Sequence, residues 1–367
     1  MKRVLMVTKI GKNYGAVLQA YALQTVLKKL GASPRILDYR LRITMNTYRV
    51  LPKVTGFTTL RHFLRLIPTY PAKWRSVQAF KRFKRECLLL TSPYSGYEAL
   101  KKNPPEADIY LTGSDQVWNP KICFDPAYYL LFGDPKTVRA SYAASVGISV
   151  MPEEYREEFA RRVAQVPIRS VREEDGQCLL AGLGIDSVVH IDPTLLLSVK
   201  DYERIAAKRL VKGKYILVYL LILPENYREY IAALRARYPG YEVIDISGYD
   251  EVTDLGDRRM MDIGPREFVA LIRDAAFVLT SSFHGTVFSV IHGREFAAVL
   301  PQGTGARIVG LLTKLGIGKQ IIQTPAQLET QDFAYDHEQV QKRIQDEKES
   351  ALAYLRDILQ DEKETDG

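Results

Sequence analysis

The feature that most constrains this chain is an alternation of two periods. Apolar runs of strand length recur, and most of the stretches between them carry apolar residues at helical spacing. Arg3 to Thr8, "SPRILDY", "ADIYLT", "KTVRAS", "IRSV" and "SVVHI" read as strands in the first half. "KYILVYLLI", "YEVIDIS", "AFVLTSS" and "EFAAVL" read as strands in the second. Between the first two runs, Leu18, Tyr21, Ala22, Val26, Leu27 and Leu30 share a helical face, and Gly31 supplies the stop. Strand and helix in alternation specify an α/β fold with largely parallel sheets.

The 367 residues suffice for two domains. A polar, basic stretch from Ser198 to Lys214 divides the apolar runs. The expected architecture is two Rossmann-like domains, 1–200 and 201–332, facing across a cleft. A basic helical insertion is expected over about 41–105 in the first domain, where the alternation lapses. A C-terminal helix and tail, 333–367, carries Val340, Ile344, Leu352, Leu355 and Leu359 on one side.

Composition narrows the function classes. The chain is 46% hydrophobic, enough for a packed core, and its net charge of +8 favours anionic partners. Three cysteines without a C-x-x-C pair suggest neither a disulfide framework nor a structural zinc site. No signal-peptide pattern opens the chain, and no apolar run approaches the ~18 residues of a membrane span. A soluble, cytoplasmic protein is expected, with a place at the inner face of the membrane open to it. The stretch 61–85 holds eight Lys or Arg and no acid, with Phe63, Tyr70, Trp74, Phe80 and Phe83 interleaved. It reads either as a solvated face or as a surface for anionic lipid. No nucleic-acid-binding pattern accompanies it, so no nucleic-acid partner is expected.

Ligands in open parallel sheets bind beyond the carboxyl ends of the strands. That rule selects four loops. "GKNYGAVLQ" places Asn13, Tyr14 and Gly15 at a helix start, where Asn13 either caps the helix or meets a ligand. It lacks the G-x-G-x-x-G fingerprint, so Asp38 after the second strand gains no dinucleotide role. "TGSDQVWNP" offers Ser114, Asp115, Gln116 and Asn119 for sugar hydroxyls and Trp118 for a ring face; the plain alternative is an Asx turn. "SVREEDG" puts Arg172 at a strand end, as an anion clamp or as a salt-bridge partner of the acids that follow. "TSSFHG" puts His284 in the first turn of a helix that Ser281 or Ser282 can cap. His190 reads as buried in a strand, and His292 as a packing or C-capping residue.

Taken in order and spacing, "NYGAVLQAYALQ", "LTGSDQVWN", "YAASVG", "VREEDG", "DPTLL" and "SSFHG" resemble the polysaccharide pyruvyl transferase family over most of the chain. The resemblance implies a fold like that of B-type glycosyltransferases. It implies transfer of the enolpyruvyl unit of phosphoenolpyruvate to two hydroxyls of a surface-polysaccharide precursor, commonly lipid-linked, as a cyclic ketal. His284 becomes the candidate acid. Arg172, Ser281, Ser282 and Gly285 become donor-side candidates. Asn13, Tyr14, Gly15, Ser114, Asp115, Gln116, Trp118 and Asn119 become acceptor-side candidates. No metal or other cofactor is expected. Family members often carry Arg-Leu-His where this chain has Ser282-Phe283-His284, and Arg307 in "GTGARIVGLL" is the candidate replacement. The competing readings are a glycosyltransferase using a nucleotide sugar, for which Glu267 is a loose ribose-binding candidate, and a non-catalytic, membrane-associated scaffold.

Overall fold

The computed structural model describes residues 1–41, 48, 67–249, 254–300 and 305–360. Two compact units emerge. The first comprises 1–45, 84–197 and 342–367, and the second 46–83 and 198–341, so far as these residues are described.

In the first unit, β1 (Arg3–Val7), β2 (Ser33–Ile36), β3 (Ile109–Thr112) and β4 (Val138–Ser141) form a parallel sheet in the order β2-β1-β3-β4. All four residues of β3 are buried, as expected where parallel strands are covered on both faces. A two-stranded parallel ribbon, β5 (Ser170–Val171) with β6 (Val188–Val189), continues from β4 through the bridges Ala140↔Ile168 and Ala144↔Val171.

The helix Tyr14–Lys29 follows β1. Asn13 Oδ1 accepts the Ala16 N–H at its start. At its end Gly31, at φ 84°, lets the Ala32 N–H return to Leu27 O and its own N–H to Lys28 O. Those bonds satisfy carbonyls the helix would otherwise orphan, and a left-handed glycine is what the turn needs.

The second unit repeats the winding. Its six parallel strands run β12-β11-β10-β7-β8-β9: β7 (Tyr215–Tyr219), β8 (Glu242–Asp245), β9 (Arg258–Arg259), β10 (Phe277–Thr280), β11 (Glu295–Val299) and β12 (Ile321–Ile322). Each unit therefore has a Rossmann-like α/β sheet with its first strand inside it: β1 lies between β2 and β3, and β7 between β8 and β10. Each has its own core. Tyr128, Tyr129, Trp118 and Phe159 are central to the first, and Phe277, Leu279, Ile216 and Leu234 to the second.

The basic insertion differs from expectation in its allegiance. The described part of 46–83 belongs with the second unit, not the first. The helix Tyr70–Cys87 buries Ser76, Val77, Phe80 and Phe83. Ser76 Oγ donates to Ile263 O at 2.8 Å, Arg75 pairs with Asp262 at 3.1 Å, and Ala79 packs against Gly264. These contacts to the turn before the helix Pro265–Asp274 are what draw it there.

The C-terminal helix His337–Gln360 also belongs to the units rather than standing apart. It passes from the second to the first at residue 342, burying Val340, Ile344, Ala351, Leu355 and Ile358. Within the first unit, Tyr354 Oη donates to Ser141 O at 2.8 Å. Among the described residues no helix is long and apolar enough to cross a membrane.

Candidate active site

In each sheet the connections reverse direction at the first strand, and the loops after β1 and β3 in the first unit, and after β7 and β10 in the second, open at that switch point. In the first unit these are the loops after Val7 and Thr112. In the second they follow Tyr219 and Thr280. The two edges share one device. Thr112 Oγ1 lies 3.2 Å from Val7 O and 2.9 Å from Tyr128 O, sharing its proton between the two carbonyls, and Thr280 Oγ1 donates to Tyr219 O at 2.8 Å. Each threonine thereby sets the end of its own strand, β3 or β10, against the last carbonyl of the first strand beside it.

At the first edge the chain folds its polar residues inward. Gly113 has φ 131°, and a Cβ there would stand 2.0 Å from Tyr142 O, so only glycine fits. The buried Gln19 amide donates to Thr8 Oγ1 at 2.8 Å and accepts the Ser114 N–H at 3.1 Å, coupling both switch-point loops to the helix Tyr14–Lys29. Asp192 is the hub. Its Oδ2 accepts from Ser114 Oγ at 3.1 Å and Arg172 Nη1 at 2.8 Å; its Oδ1 accepts from the N–H and hydroxyl of Thr194. Glu173 Oε1 accepts from Arg172 Nε at 2.9 Å and Ser145 Oγ at 2.7 Å. Burial alone would lower the Arg172 pKa, but Glu173, Asp192 and Asp115 outweigh it and hold the guanidinium well above its usual range. Lys9, whose ammonium donates to Gln116 O, is pulled the other way: burial lowers its pKa, with Asp115 opposing.

Several acceptor-side expectations change here. Trp118 is no sugar platform. It is fully buried, donates its indole N–H to Tyr128 O at 3.1 Å and stacks on Tyr129 with centroids 6.2 Å apart. Ser114 and Asn119 are also internal, Asn119 Nδ2 donating to Gln116 Oε1 at 2.8 Å. Arg172 is no exposed clamp. Its side chain is 2% exposed, and both the salt bridge to Glu173 and a second one to Asp192 are made. Its guanidinium sits between these two carboxylates. What the edge leaves at its rim is exposed Asn13 and half-buried Tyr14, Asp115 and Gln116, with Gly15 buried just behind them.

The second edge is built around "TSSFHG". Ser281 Oγ accepts the N–H groups of Leu221 at 2.8 Å and Ile222 at 3.2 Å, pinning the loop after β7. Ser282 caps the helix Phe283–Ile291, accepting the Gly285 N–H at 3.2 Å. Gly285 is small because the strand is close: a Cβ there would meet Thr280 Oγ1 at 2.3 Å and Tyr219 at 3.1 Å. These three residues, expected on the donor side, shape the loop. Tyr219 is pushed up by burial, a hydrogen bond with Ser282 opposing.

His284 occupies the first helical turn, 8% exposed, its ring at 89° to Phe283 with centroids 5.2 Å apart. The Arg307 guanidinium lies 5.8 Å from the Phe283 ring centroid. One phenyl ring thus adjoins both the imidazole and the guanidinium. Glu267 is occupied otherwise: its carboxylate accepts the Gly264 N–H at 2.9 Å at the start of the helix Pro265–Asp274.

The other histidines have structural places. His190 Nδ1 is 2.8 Å from Ser170 Oγ and its ring stacks on Tyr142. His292 ends its helix, and burial, reinforced by Arg273 and Arg294, depresses its pKa to about 4. Asp38 is engaged by Arg40 Nη2 at 2.7 Å. Among the described residues no group of three or more His, Cys, Asp or Glu side chains could hold a metal ion.

Sequence reasoning gave no role to Gln19, Thr8, Lys9, Ser145 or Asp192. Two of these left a signal. Gln19 is a polar residue inside an otherwise apolar helical run, and Asp192 precedes a proline at a strand end, a capping position.

The family model described as polysaccharide pyruvyl transferase matches residues 13–302. No curated protein matches the chain. Among solved structures, the UDP-GlcNAc 2-epimerase from Methanocaldococcus jannaschii is similar at 11% identity and TM-score 0.47, over 94% of this chain and 91% of that one. The UDP-GlcNAc 2-epimerase from Neisseria meningitidis is similar at 12% and 0.46, over 97% and 94%. The glycosyltransferase SnogD from Streptomyces nogalater is similar at 12% and 0.41, over 96% and 98%.

Proposed function

Because the chain belongs to the polysaccharide pyruvyl transferase family, we propose that it takes the pyruvyl unit from phosphoenolpyruvate and closes it as a ketal on a saccharide. The observation that carries the donor assignment is the grouping of His284 and Arg307 about Phe283 at the switch-point edge of the second unit. A guanidinium suits a phosphate or carboxylate. An imidazole is the side chain best fitted to move a proton near neutral pH.

The chemistry balances as follows. An acid, assigned to His284, protonates the methylene carbon of the enol phosphate and leaves an oxocarbenium-like centre at C2. A first sugar hydroxyl adds there and returns a proton to the base form of that acid. A second hydroxyl of the same sugar then displaces phosphate, its proton leaving with the phosphate, and the ring closes. One phosphoenolpyruvate and one diol give one ketal and one inorganic phosphate. Arg307 takes the place of the arginine absent before His284. The acceptor lies against Asn13, Tyr14, Asp115 and Gln116, the rim residues of the first unit, and is a surface-polysaccharide precursor, lipid-linked at the inner membrane face. Arg172, through Asp192 and Ser114, fixes the shape of that rim.

Titration calorimetry tests the donor. Phosphoenolpyruvate is expected to bind, and Arg307→Ala to weaken it by ~2–5 kcal/mol, the scale for losing a desolvated charge partner. Binding of a nucleotide sugar with no heat from phosphoenolpyruvate would reject the reading.

A further inference from the structure

The helix Tyr70–Cys87 has two faces of opposite character, and among the described residues only one packs into the core. Ser76, Val77, Phe80 and Phe83 are buried. The other arc, advancing ~100° per residue, gathers Tyr70, Trp74, Lys81 and Arg85 within one narrow stripe, with Arg75 and Arg82 beside it. Trp74 is 48% exposed and Tyr70 41%, unusual for rings of this size. Lys81 and Arg82 are exposed, and the Arg75 and Arg85 side chains are 56% and 76% exposed. Glu86 is the one acid in the helix. Ser76 and Ala79 fasten the buried face to Ile263 and Gly264, and Arg75 at its border pairs with Asp262, so the helix presents this stripe as a fixed surface.

We propose that this stripe docks the protein on an anionic lipid bilayer, with the helix lying in the plane of the interface. The charges match acidic headgroups, and tyrosine and tryptophan are the residues that settle at headgroup depth. The stripe is the convex side of one helix, which suits a flat bilayer. A single-stranded nucleic acid is held instead in a groove between stacking platforms. The inference does not depend on the pyruvyl-transfer reading.

The full-length chain is tested by flotation with vesicles of phosphatidylcholine alone and of phosphatidylcholine mixed with phosphatidylglycerol. Binding is expected to the mixed vesicles only, and to fall with added salt. Replacing Lys81, Arg82 and Arg85 together by glutamate is expected to weaken binding by roughly a hundredfold or more, at about tenfold or less per charge. The chain has two tryptophans, and Trp118 is fully buried. A blue shift of emission on binding therefore reports Trp74, and is expected to vanish in Trp74→Phe. Because every substituted residue is exposed, circular dichroism should be unchanged in each variant. Equal binding to both vesicle types, binding indifferent to the charge reversal, or binding without a Trp74 shift would each overturn the proposal. So would binding of RNA that competes with vesicles and is lost in the same variants.

Discussion

Replacing Arg172 by alanine asks whether this guanidinium holds the first unit together or merely decorates it. The side chain is 2% exposed, and its two partners, Asp192 and Glu173, are 0% and 11% exposed. Removing it abandons two carboxylates in a water-poor setting, where breaking a buried pair costs ~3–5 kcal/mol. That is a large share of a domain's usual stability of ~5–15 kcal/mol. Urea unfolding in a Trp74→Phe background isolates the effect, because Trp118 then reports the first unit alone. The midpoint is expected to fall with the slope unchanged. The pH response gives a second check. Carboxylates left without a cation prefer the proton in the folded state, so their folded pKa rises above the unfolded one. The variant should therefore recover stability relative to the parent as pH falls. Arg172→Lys keeps the charge but cannot fork between two acids, and should lose less. A loss under ~1 kcal/mol for Arg172→Ala, or a pH response of the opposite sign, would refute the reasoning.

Three further outcomes follow from particular contacts. Gly285→Ala must fit a Cβ 2.3 Å from Thr280 Oγ1, so a loss of ~1–3 kcal/mol is expected in thermal unfolding. His292 has a folded pKa depressed to about 4 from an ordinary 6.5. Its contribution is complete above 6.5 and is lost as pH falls toward 4, on the order of 3 kcal/mol in all; His292→Gln should flatten the acid limb of stability against pH. Asn13→Ala removes the cap of the helix Tyr14–Lys29 and should cost ~1 kcal/mol in urea titration, whether or not a saccharide contacts that residue.

The sheets were legible because their strands are short, apolar and bounded by turn residues. "YILVY" and "FVLT" could hardly be anything else in an α/β pattern. The strands Arg258–Arg259 and Ile321–Ile322 were not legible, since neither lies in a longer apolar run as Ser170–Val171 and Val188–Val189 do, and their pairing is decided by the neighbouring strand. The allegiance of the basic insertion depended on tertiary contacts at Ser76, Arg75 and Ala79 that no local pattern encodes.

At the candidate site, the sequence located the loops and misjudged several side chains. A tryptophan among polar residues suggested a sugar platform. The turn at Gly113 instead sends Trp118 into the core and leaves Asp115 and Gln116 at the rim. Arg172 suggested a clamp for substrate. Asp192, 20 residues on, was the missing partner, and such long-range pairing is invisible to local charge patterns.

The most direct test of the central account supplies phosphoenolpyruvate and a saccharide precursor together and measures phosphate release alongside the mass of the saccharide. The account predicts phosphate only when both are present, a saccharide heavier by one pyruvyl ketal for each phosphate, and near-complete loss of both signals in a folded His284→Ala protein. Phosphate released without any change in the saccharide, or undiminished turnover in His284→Ala, would contradict it.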